Sequence, residues 1–216
     1  MIALETALEI YDWGRTNYPE AVRKQIARVE TLKSSSLPQD CLVFTEHEAS
    51  FTIGSKIGAE KHLLWDSQTL ESEGISVYKS NRGGDITYHG PGQMVIYPIL
   101  KLKDRDLNSY LRKLESVVIN LLRYFDIKAG TRPGKTGIWI EDRKICAIGV
   151  AVKSWISYHG LALNIDPKLR HFKGIIPCGI TDGTVTSMAQ ELKDVPEKKY
   201  IKERFIVEFK SIFYDI

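Results

Sequence analysis

The chain lacks the features that mark several large classes of protein. No run of eighteen apolar residues occurs among its 216 residues, so the sequence predicts no membrane-spanning helix. Residues 1–6 show no basic stretch leading into an apolar block, so we expect no secretory signal. The formal charge is only +3 and no basic stripe interleaved with aromatics is present, which argues against a nucleic-acid partner. These absences favour an ordinary globular protein.

Cysteine is also scarce, and its spacing excludes two kinds of site. The three cysteines, Cys41, Cys146 and Cys178, are an odd number and lie far apart. This spacing argues against a disulfide framework and against a zinc cluster, and it favours a reducing, cytoplasmic setting. The stretch from Gly134 to Thr136 lacks the first glycine of a phosphate-binding P-loop at the required distance. We therefore expect neither a metal nor a cofactor.

The hydrophobic pattern predicts an α+β protein. Apolar residues recur at helical spacing within residues 22–32, 107–125 and 201–212. Short β-branched or aromatic runs predict strands over residues 41–45, 51–53, 75–78, 94–100, 137–140, 144–152 and 157–165. Strands grouped in this way argue against a doubly wound parallel sheet. With no repeat or linker in the sequence, residues 1–216 are most simply one domain.

The most informative segment is glycine-rich and runs from Arg82 to Gly92. It holds four glycines and one proline in eleven residues, and a β-rich run follows at once. Glycine allows a ligand to approach the backbone closely, because no Cβ is in the way. The polar residues in and just after the segment are Arg82, Asp85, Thr87, His89 and Gln93. They indicate a binding loop, although Gly-Gly and Pro-Gly also occur in plain structural turns.

Cys178 and Lys144 are candidate catalytic residues. Cys178 lies between a proline and a glycine, where a turn can present its sulfur, but a free cysteine is often only a small buried hydrophobe. By the period of two, Lys144 shares one strand face with Cys146 and Ile148. If that face is inward, burial favours the neutral amine that can act as a base, whereas an exposed lysine has no such role. Cys146 is a rival nucleophile for which we favour a packing role.

Two histidines have neighbourhoods that suggest a function. His89 lies in the glycine-rich segment, and His159 precedes a glycine in the last predicted strand. Either could pair with a nucleophilic cysteine, or could instead orient the backbone through hydrogen bonds. The sequence alone leaves both alternatives open.

Taken together, three blocks of sequence resemble the lipoyl(octanoyl) transferase family. The first is the glycine-rich segment continued to Gln93 and Tyr97, the second joins residues 136–140 to residues 144–149, and the third comprises residues 159–164, 177–179 and 186–188. The one departure is Cys146, where a small residue such as alanine is more typical of the family. The resemblance implies a fold like the catalytic domain of biotin and lipoate protein ligases, with mainly antiparallel sheets flanked by helices.

The resemblance also implies the activity and the roles of residues. Such an enzyme moves an octanoyl or lipoyl group from acyl carrier protein, through a cysteine thioester, to a lysine of a lipoyl domain in lipoate-dependent enzymes. Cys178 would be the nucleophile and Lys144 the general acid/base. The residues implied to line the substrate site are Arg82, Gly83, Gly84, Asp85, Ile86, Thr87, Tyr88, His89, Ala147, Ile148, Gly149, Gly160, Leu161 and Ala162. The implied acceptors are the lipoyl domains of 2-oxoacid dehydrogenases and the glycine cleavage H protein.

Three other functions fit parts of the same pattern. An ATP-dependent lipoate or biotin protein ligase would use the same fold without a cysteine nucleophile. A thioester hydrolase would use Cys178 but release free octanoate. A non-catalytic module would bind acylated protein without becoming acylated itself.

Overall fold

A large mixed sheet forms the centre of the computed structural model, which describes residues 8–35, 39–176 and 183–214. The strands in chain order are β1 (Glu9–Thr16), β2 (Cys41–His47), β3 (Ser50–Ile53), β4 (Ser76–Lys79), β5 (Thr87–His89), β6 (Gln93–Ile99), β7 (Gly130–Arg132), β8 (Lys135–Ile140), β9 (Arg143–Lys153), β10 (Ile156–Asn164) and β11 (Thr184–Val185). The large sheet has the order β1-β2-β6-β10-β9-β8-β7, with β11 beside β9. Among the described strands of this sheet, only the β1–β2 and β9–β11 pairs are parallel, so the sheet is mainly antiparallel as expected.

A second, smaller sheet lies beside the first and has the order β4-β3-β5. Strand β3 pairs with β4 in parallel and with β5 in antiparallel. Its inward residues build a separate apolar cluster that includes Phe51, Ile86 and Tyr88. The helices are α1 (Tyr18–Ser34), α2 (Ser67–Ser72), α3 (Leu107–Tyr124), α4 (Met188–Glu191) and α5 (Lys198–Tyr214), and two 3₁₀ turns cover Ala59–His62 and Leu169–Gly174.

The three predicted helices are confirmed, and two of them begin at side-chain caps. The side chain of Asn17 accepts a hydrogen bond from the N–H of Glu20 at 2.9 Å, which satisfies one of the free donors at the start of α1. Asp106 caps α3 in the same way through the N–H of Ser109 at 3.0 Å. In the part of the chain that is described, no helix is both long and apolar enough to cross a membrane.

The helices cover the two faces of the large sheet, and strand periodicity decides which residues each helix meets. In β2, Leu42 and Phe44 join the cluster that packs against α3 and α5, whereas Cys41 and Val43 join the cluster under α1. The same alternation holds in β6, where Val95 and Tyr97 face α1. The α+β class is therefore confirmed, with helices on both faces of a sheet.

The buried face of α1 differs from the apolar pattern in its sequence. Ala21, Gln25, Val29 and Leu32 are buried, whereas Val22 is only partly buried. Buried polar groups need a partner, and the side-chain oxygen of Gln25 has one in β10, described below. The first half of the buried face is therefore offset by one position from the hydrophobic periodicity, and a tertiary hydrogen bond satisfies the polar residue on it.

Candidate active site

A cavity of about 400 Å³ opens on the face of the large sheet that α1 partly covers. Of the sixteen predicted site residues, the structure describes fifteen, and twelve of these lie on its wall: Arg82, Gly84, Asp85, Thr87, His89, Lys144, Ala147, Ile148, Gly149, Gly160, Leu161 and Ala162. The fold thus brings together three segments that are far apart in sequence. Cavities of this size commonly hold small ligands or the buried part of a larger one.

Three residues predicted for the substrate site lie elsewhere. Ile86 and Tyr88 belong to the apolar cluster of the small sheet, and the Tyr88 hydroxyl pairs with His171 Nδ1 at 2.9 Å. Successive side chains of a strand point to opposite faces, so Thr87 and His89 reach the cavity and Ile86 and Tyr88 do not. Gly83 instead donates its N–H to the carbonyl of Val150 at 2.8 Å.

The wall formed by the glycine-rich segment is held rigidly against β9. A Cβ on Gly149 would lie 2.7 Å from the carbonyl oxygen of Gly83, so only glycine lets the loop approach this closely. The Arg82 side chain is buried and donates to the carbonyl of Thr52 at 2.6 Å and to its hydroxyl. These contacts fix the loop as a wall of the cavity.

Asp85 is a nearly inaccessible carboxylate with three donors. Lys56 Nζ lies 2.9 Å from Oδ2, and His62 Nδ1 lies 2.7 Å from Oδ1, which also accepts from the N–H of Ile86. Burial alone would raise the pKa of Asp85, but the hydrogen bonds from His62, Lys56 and the Ile86 backbone outweigh it and lower this pKa below its usual range. Asp85 therefore stays ionised and anchors the loop to residues 56–62.

A bulge in β9 turns Lys144 towards the cavity. Ile138 is opposite Cys146 and Trp139 is opposite Lys144, so one step along β8 corresponds to two steps along β9. The extra residue, Ile145, breaks the period of two. Cys146 consequently faces the α3–α5 core, whereas Lys144 is on the wall of the cavity, and Ile148 borders both. The expectation that Lys144 and Cys146 share one face is wrong, while Lys144 and Ile148 both reach the cavity.

Lys144 is 4% exposed and packs against an indole ring. Its Nζ lies 4.6 Å from the ring centroid of Trp139, within the range of a cation–π contact. Gly137, at φ +120°, borders the same side chain, and a Cβ there would lie 3.3 Å from Lys144 Cε. A positive φ of this size favours glycine, so the backbone at Gly137 leaves the room that Lys144 occupies.

Cys178 lies in residues 177–182, outside the described part of the chain. The chain that leads to it is described as far as Ile176, whose N–H donates to the carbonyl of His62 at 2.8 Å. His62 is the residue that pairs with Asp85, so the cavity wall and the segment before Cys178 share one support.

The other two cysteines are buried thiols in the core. Cys41 and Cys146 are both fully buried. Burial raises the pKa of Cys41 to about 12 and raises the pKa of Cys146 as well. The thiolate is the reactive form of cysteine, so neither is an activated nucleophile. The packing role favoured for Cys146 agrees with its position in the core cluster.

His89 and His159 line the cavity beside Tyr18, a residue that the sequence did not indicate. Both imidazole rings lie parallel to the Tyr18 ring, with centroids 6.2 and 6.3 Å away. Burial lowers the pKa of His159 to about 3, and burial followed by the nearby His47 and Arg82 lowers the pKa of His89 well below its usual value. Both histidines are therefore neutral at pH 7.

His159 also has an unusual backbone conformation. Its φ is +56°, a region in which a non-glycine residue is strained. Its Nε2 lies 2.8 Å from the side-chain oxygen of Asn81, next to the glycine-rich segment. Strain of this kind is kept only where neighbours hold the residue in place.

Several residues of the wall were not predicted from the sequence. They are Tyr18, Lys56, Val95, Tyr97, Gly134, Lys135 and Thr136. Val95 and Tyr97 could have been found, because they alternate with Met94 and Ile96 in a predicted strand. Tyr18 and Lys56 have no local signal, since only the tertiary fold brings them to the cavity. Within the described ranges, no group of three or more His, Cys, Asp or Glu side chains could hold a metal.

Comparison with known proteins identifies the family. The family described as lipoyl protein ligase A/B catalytic domain matches residues 19–210. An octanoyltransferase of Cytophaga hutchinsonii is 39% identical over 214 residues, covering 95% of this chain and 87% of the relative. An octanoyltransferase of Solibacter usitatus is 42% identical over 202 residues, covering 93% and 90%.

Solved structures show the same fold at lower sequence identity. A lipoate-protein ligase A bound with ATP superposes with a TM-score of 0.77 at 18% identity, covering 98% of this chain and 86% of that one. A bi-partite lipoate protein ligase of Thermoplasma acidophilum gives a TM-score of 0.76 at 20% identity, covering 96% and 84%. The ligase-like fold implied by the sequence is thus confirmed. The chain belongs to the octanoyltransferase family, acyltransferases built on the lipoyl protein ligase A/B catalytic domain.

Proposed function

We propose that this enzyme carries an octanoyl group on Cys178 and transfers it to a protein lysine with Lys144 as the general acid/base. The donor is octanoyl-acyl carrier protein and the acceptor is a lipoyl domain. The observation that carries the proposal is a buried lysine on the wall of a cavity that Val95, Leu161 and Ala162 make partly apolar. Such a wall suits an acyl chain, and a buried lysine suits proton transfer.

In the first half-reaction, the Cys178 thiolate attacks the carbonyl carbon of the octanoyl thioester. A new C–S bond forms to Cys178, the bond to the carrier thiol breaks, and the carrier leaves as a thiol after taking a proton. The octanoyl group then sits on the enzyme as a thioester. Lys144, in its ammonium form, is the donor that supplies this proton.

In the second half-reaction, the ε-amine of the target lysine attacks the same carbonyl carbon. A C–N bond forms, the C–S bond breaks, and the electron pair returns to the sulfur of Cys178. The amine loses a proton in this step, and neutral Lys144 accepts it. The products are an octanoylated lysine and an enzyme whose two groups are restored.

The cavity wall supports the binding of the acyl chain. An octanoyl chain has six methylenes, and burying them at about 0.8 kcal/mol each contributes roughly 5 kcal/mol. Ala147 of β9 and Leu161 and Ala162 of β10 line the cavity with small or apolar side chains that suit such a chain. Enclosing the thioester in this way also limits its hydrolysis by water.

The state of the other cysteines supports the choice of nucleophile. Cys41 and Cys146 are buried in the core with raised pKa values, which leaves Cys178 as the cysteine available for acylation. As acceptors we propose the lipoyl domains of 2-oxoacid dehydrogenases and the glycine cleavage H protein. A reducing cytoplasm is the setting we propose, with residues 1–216 acting as one catalytic domain.

Mass spectrometry of the intact protein tests the acyl-enzyme. Incubation with octanoyl-acyl carrier protein should add one octanoyl group to the wild type and none to Cys178→Ser. An adduct that persists on Cys178→Ser and is released by hydroxylamine under thioester-selective conditions would move the thioester to another cysteine. An adduct-free wild type that modifies a lipoyl domain only with ATP would indicate a ligase instead.

Transfer to the acceptor tests the base. Lys144→Arg should fold normally but lose transfer, because the guanidinium does not give up its proton. Near-normal turnover of this variant would remove Lys144 from the mechanism. Release of free octanoate in the presence of unmodified lipoyl domain would favour the thioester hydrolase.

A further inference from the structure

We propose that Trp139 is a positioning residue for Lys144, and that its ring stabilises the ammonium group which Lys144 becomes on taking the proton of the incoming amine. The inference rests on the proposed function, in which Lys144 is the base. The inference adds Trp139 to the proposed site, a residue that neither the glycine-rich segment nor Cys178 indicates.

The contact between the two side chains is built into the sheet. Trp139 in β8 and Lys144 in β9 are opposite each other on paired strands, and neither belongs to the α3–α5 core cluster that Ile138 and Ile140 join. Trp139 is 3% exposed and Lys144 is 4% exposed. The 4.6 Å between Nζ and the ring centroid is therefore a contact between two buried groups. A buried position makes a cation–π contact stronger than it is at a surface.

The ring acts differently on the two forms of the lysine. The negative face of an indole attracts an ammonium ion strongly but attracts a neutral amine only weakly. Lys144 changes from amine to ammonium as the amide bond forms, so the attraction grows during the reaction step. An interaction that is stronger in the transition state than in the ground state raises the rate. A fixed ring also needs no reorganisation at that moment, unlike water.

Neighbouring groups confine the side chain to this position. Gly137 borders the Lys144 side chain, and a Cβ at this position would lie 3.3 Å from Lys144 Cε, which is closer than a relaxed contact. Arg132 lies on the same indole, with its Cζ 4.9 Å from the ring centroid. A rival explanation is thus that Trp139 serves only to hold Arg132 and the β7–β8 hairpin. The experiment must separate these two roles.

The two half-reactions, measured separately on single turnovers, test the proposal. Trp139→Leu should slow transfer from octanoylated enzyme to the lipoyl domain about tenfold, and Trp139→Phe, which keeps a weaker aromatic face, about threefold. The KM for the lipoyl domain should not change. Trp155→Leu is the matched control, since Trp155 also lies under a cation, Arg105 at 6.0 Å, but at the β9–β10 turn. Equal losses in Trp139→Leu and Trp139→Phe, or a change in KM alone, would overturn the proposal.

Fluorinated tryptophans placed at position 139 keep the test decisive if Trp139→Leu does not fold. Each added fluorine weakens the negative face of the ring while leaving its shape nearly unchanged. The transfer rate should fall stepwise along the series, and a flat series would mean that the ring only fills space. In protein that also carries Arg132→Ala, the transfer rate should fall along the fluorinated series in the same way. If the rate no longer depends on fluorination in that variant, the ring acts through Arg132 and not through Lys144.

Lys144→Ala separates this inference from the proposed function. If Lys144→Ala transfers octanoate at the wild-type rate, Lys144 is not the base and the proposed function needs another one. If Lys144→Ala is inactive while the fluorinated series is flat, only the role of Trp139 is refuted.

Discussion

The side-chain oxygen of Gln25 accepts a hydrogen bond from the backbone N–H of His159 at 2.7 Å. Gln25 is fully buried on the face of α1 that packs on the sheet, and His159 is on the cavity wall with φ +56°. The bond satisfies the backbone donor of a residue in a strained conformation. A polar residue in an apolar helix face thus supports the wall of the cavity.

Replacing Gln25 by methionine should destabilise the protein by about 1 kcal/mol. The change keeps the volume but leaves the N–H of His159 without its acceptor. The expected loss of stability is small because the Gln25 Nε2 has no hydrogen-bond partner among the described residues. Removing this buried, unsatisfied donor is favourable and offsets part of the loss. Urea unfolding measures the difference, with Gln68→Met on the exposed face of α2 as the control. Equal stability of Gln25→Met and wild type would contradict this role.

The buried histidines should make the protein less stable as the pH falls below 6.5. His159 has a folded-state pKa of about 3, because of burial and then the charge of Arg82, against 6.5 in the unfolded chain. Between these values the unfolded state binds a proton that the folded state does not. The stability is therefore complete above pH 6.5 and is lost towards pH 3, at about 1.4 kcal/mol per pH unit for each such histidine.

Measurement of unfolding free energy between pH 6.5 and pH 5 tests this linkage. His159→Asn keeps a polar side chain that tolerates a left-handed backbone, and it should reduce the slope by about 1.4 kcal/mol per pH unit. A slope equal to that of the wild type would show that His159 is already protonated in the folded state.

The two core cysteines should resist alkylation in the native protein. Cys41 and Cys146 are fully buried with raised pKa values, so neither forms an accessible thiolate at pH 8. In Cys178→Ser protein, iodoacetamide should add nothing to the native chain and two groups to the urea-unfolded chain. Labelling of the native variant at either cysteine would mean that the core opens more readily than its packing indicates.

Much of the fold could be predicted from the sequence, and the failures have identifiable causes. The helices and the long strands were evident because apolar periodicity is strong in them. Strand β1 was missed because it lies at the edge of the sheet and alternates half-buried residues such as Tyr11 with exposed ones such as Asp12. Strand β5 was hidden in a glycine-rich segment, since Thr87 to His89 is only three residues long.

The candidate site was predicted from motifs more fully than from periodicity. The motifs gave most of the cavity wall, because the glycines and the polar residues are adjacent in sequence. The motifs could not predict the orientation of Lys144, since one extra residue in β9 reverses the sheet face on which this side chain lies. The partnership of Lys144 with Trp139 depends on that same bulge. Pairing register is a property of the folded sheet, and no local pattern around Ile145 indicates it.

Substitution of alanine for Gly137 should impair the enzyme through Lys144. The residue has φ +120°, and an added Cβ would lie 2.7 Å from the carbonyl oxygen of Cys146 and 3.3 Å from Lys144 Cε. Backbone strain should cost about 1–3 kcal/mol of stability. If Lys144 is the general base as proposed, the transfer rate of the folded enzyme should fall at least about tenfold, because a small displacement of a base is costly.

Gly130→Ala is the matched control for this change. Gly130 lies on the adjacent strand β7, and an added Cβ there meets no atom within 4 Å. Its stability and rate should stay close to those of the wild type. If Gly137→Ala loses stability but transfers octanoate at the wild-type rate per folded molecule, the space beside Lys144 is a requirement of the fold alone. If both properties fall in Gly137→Ala and neither falls in Gly130→Ala, the glycine is needed because the lysine has to lie where it does.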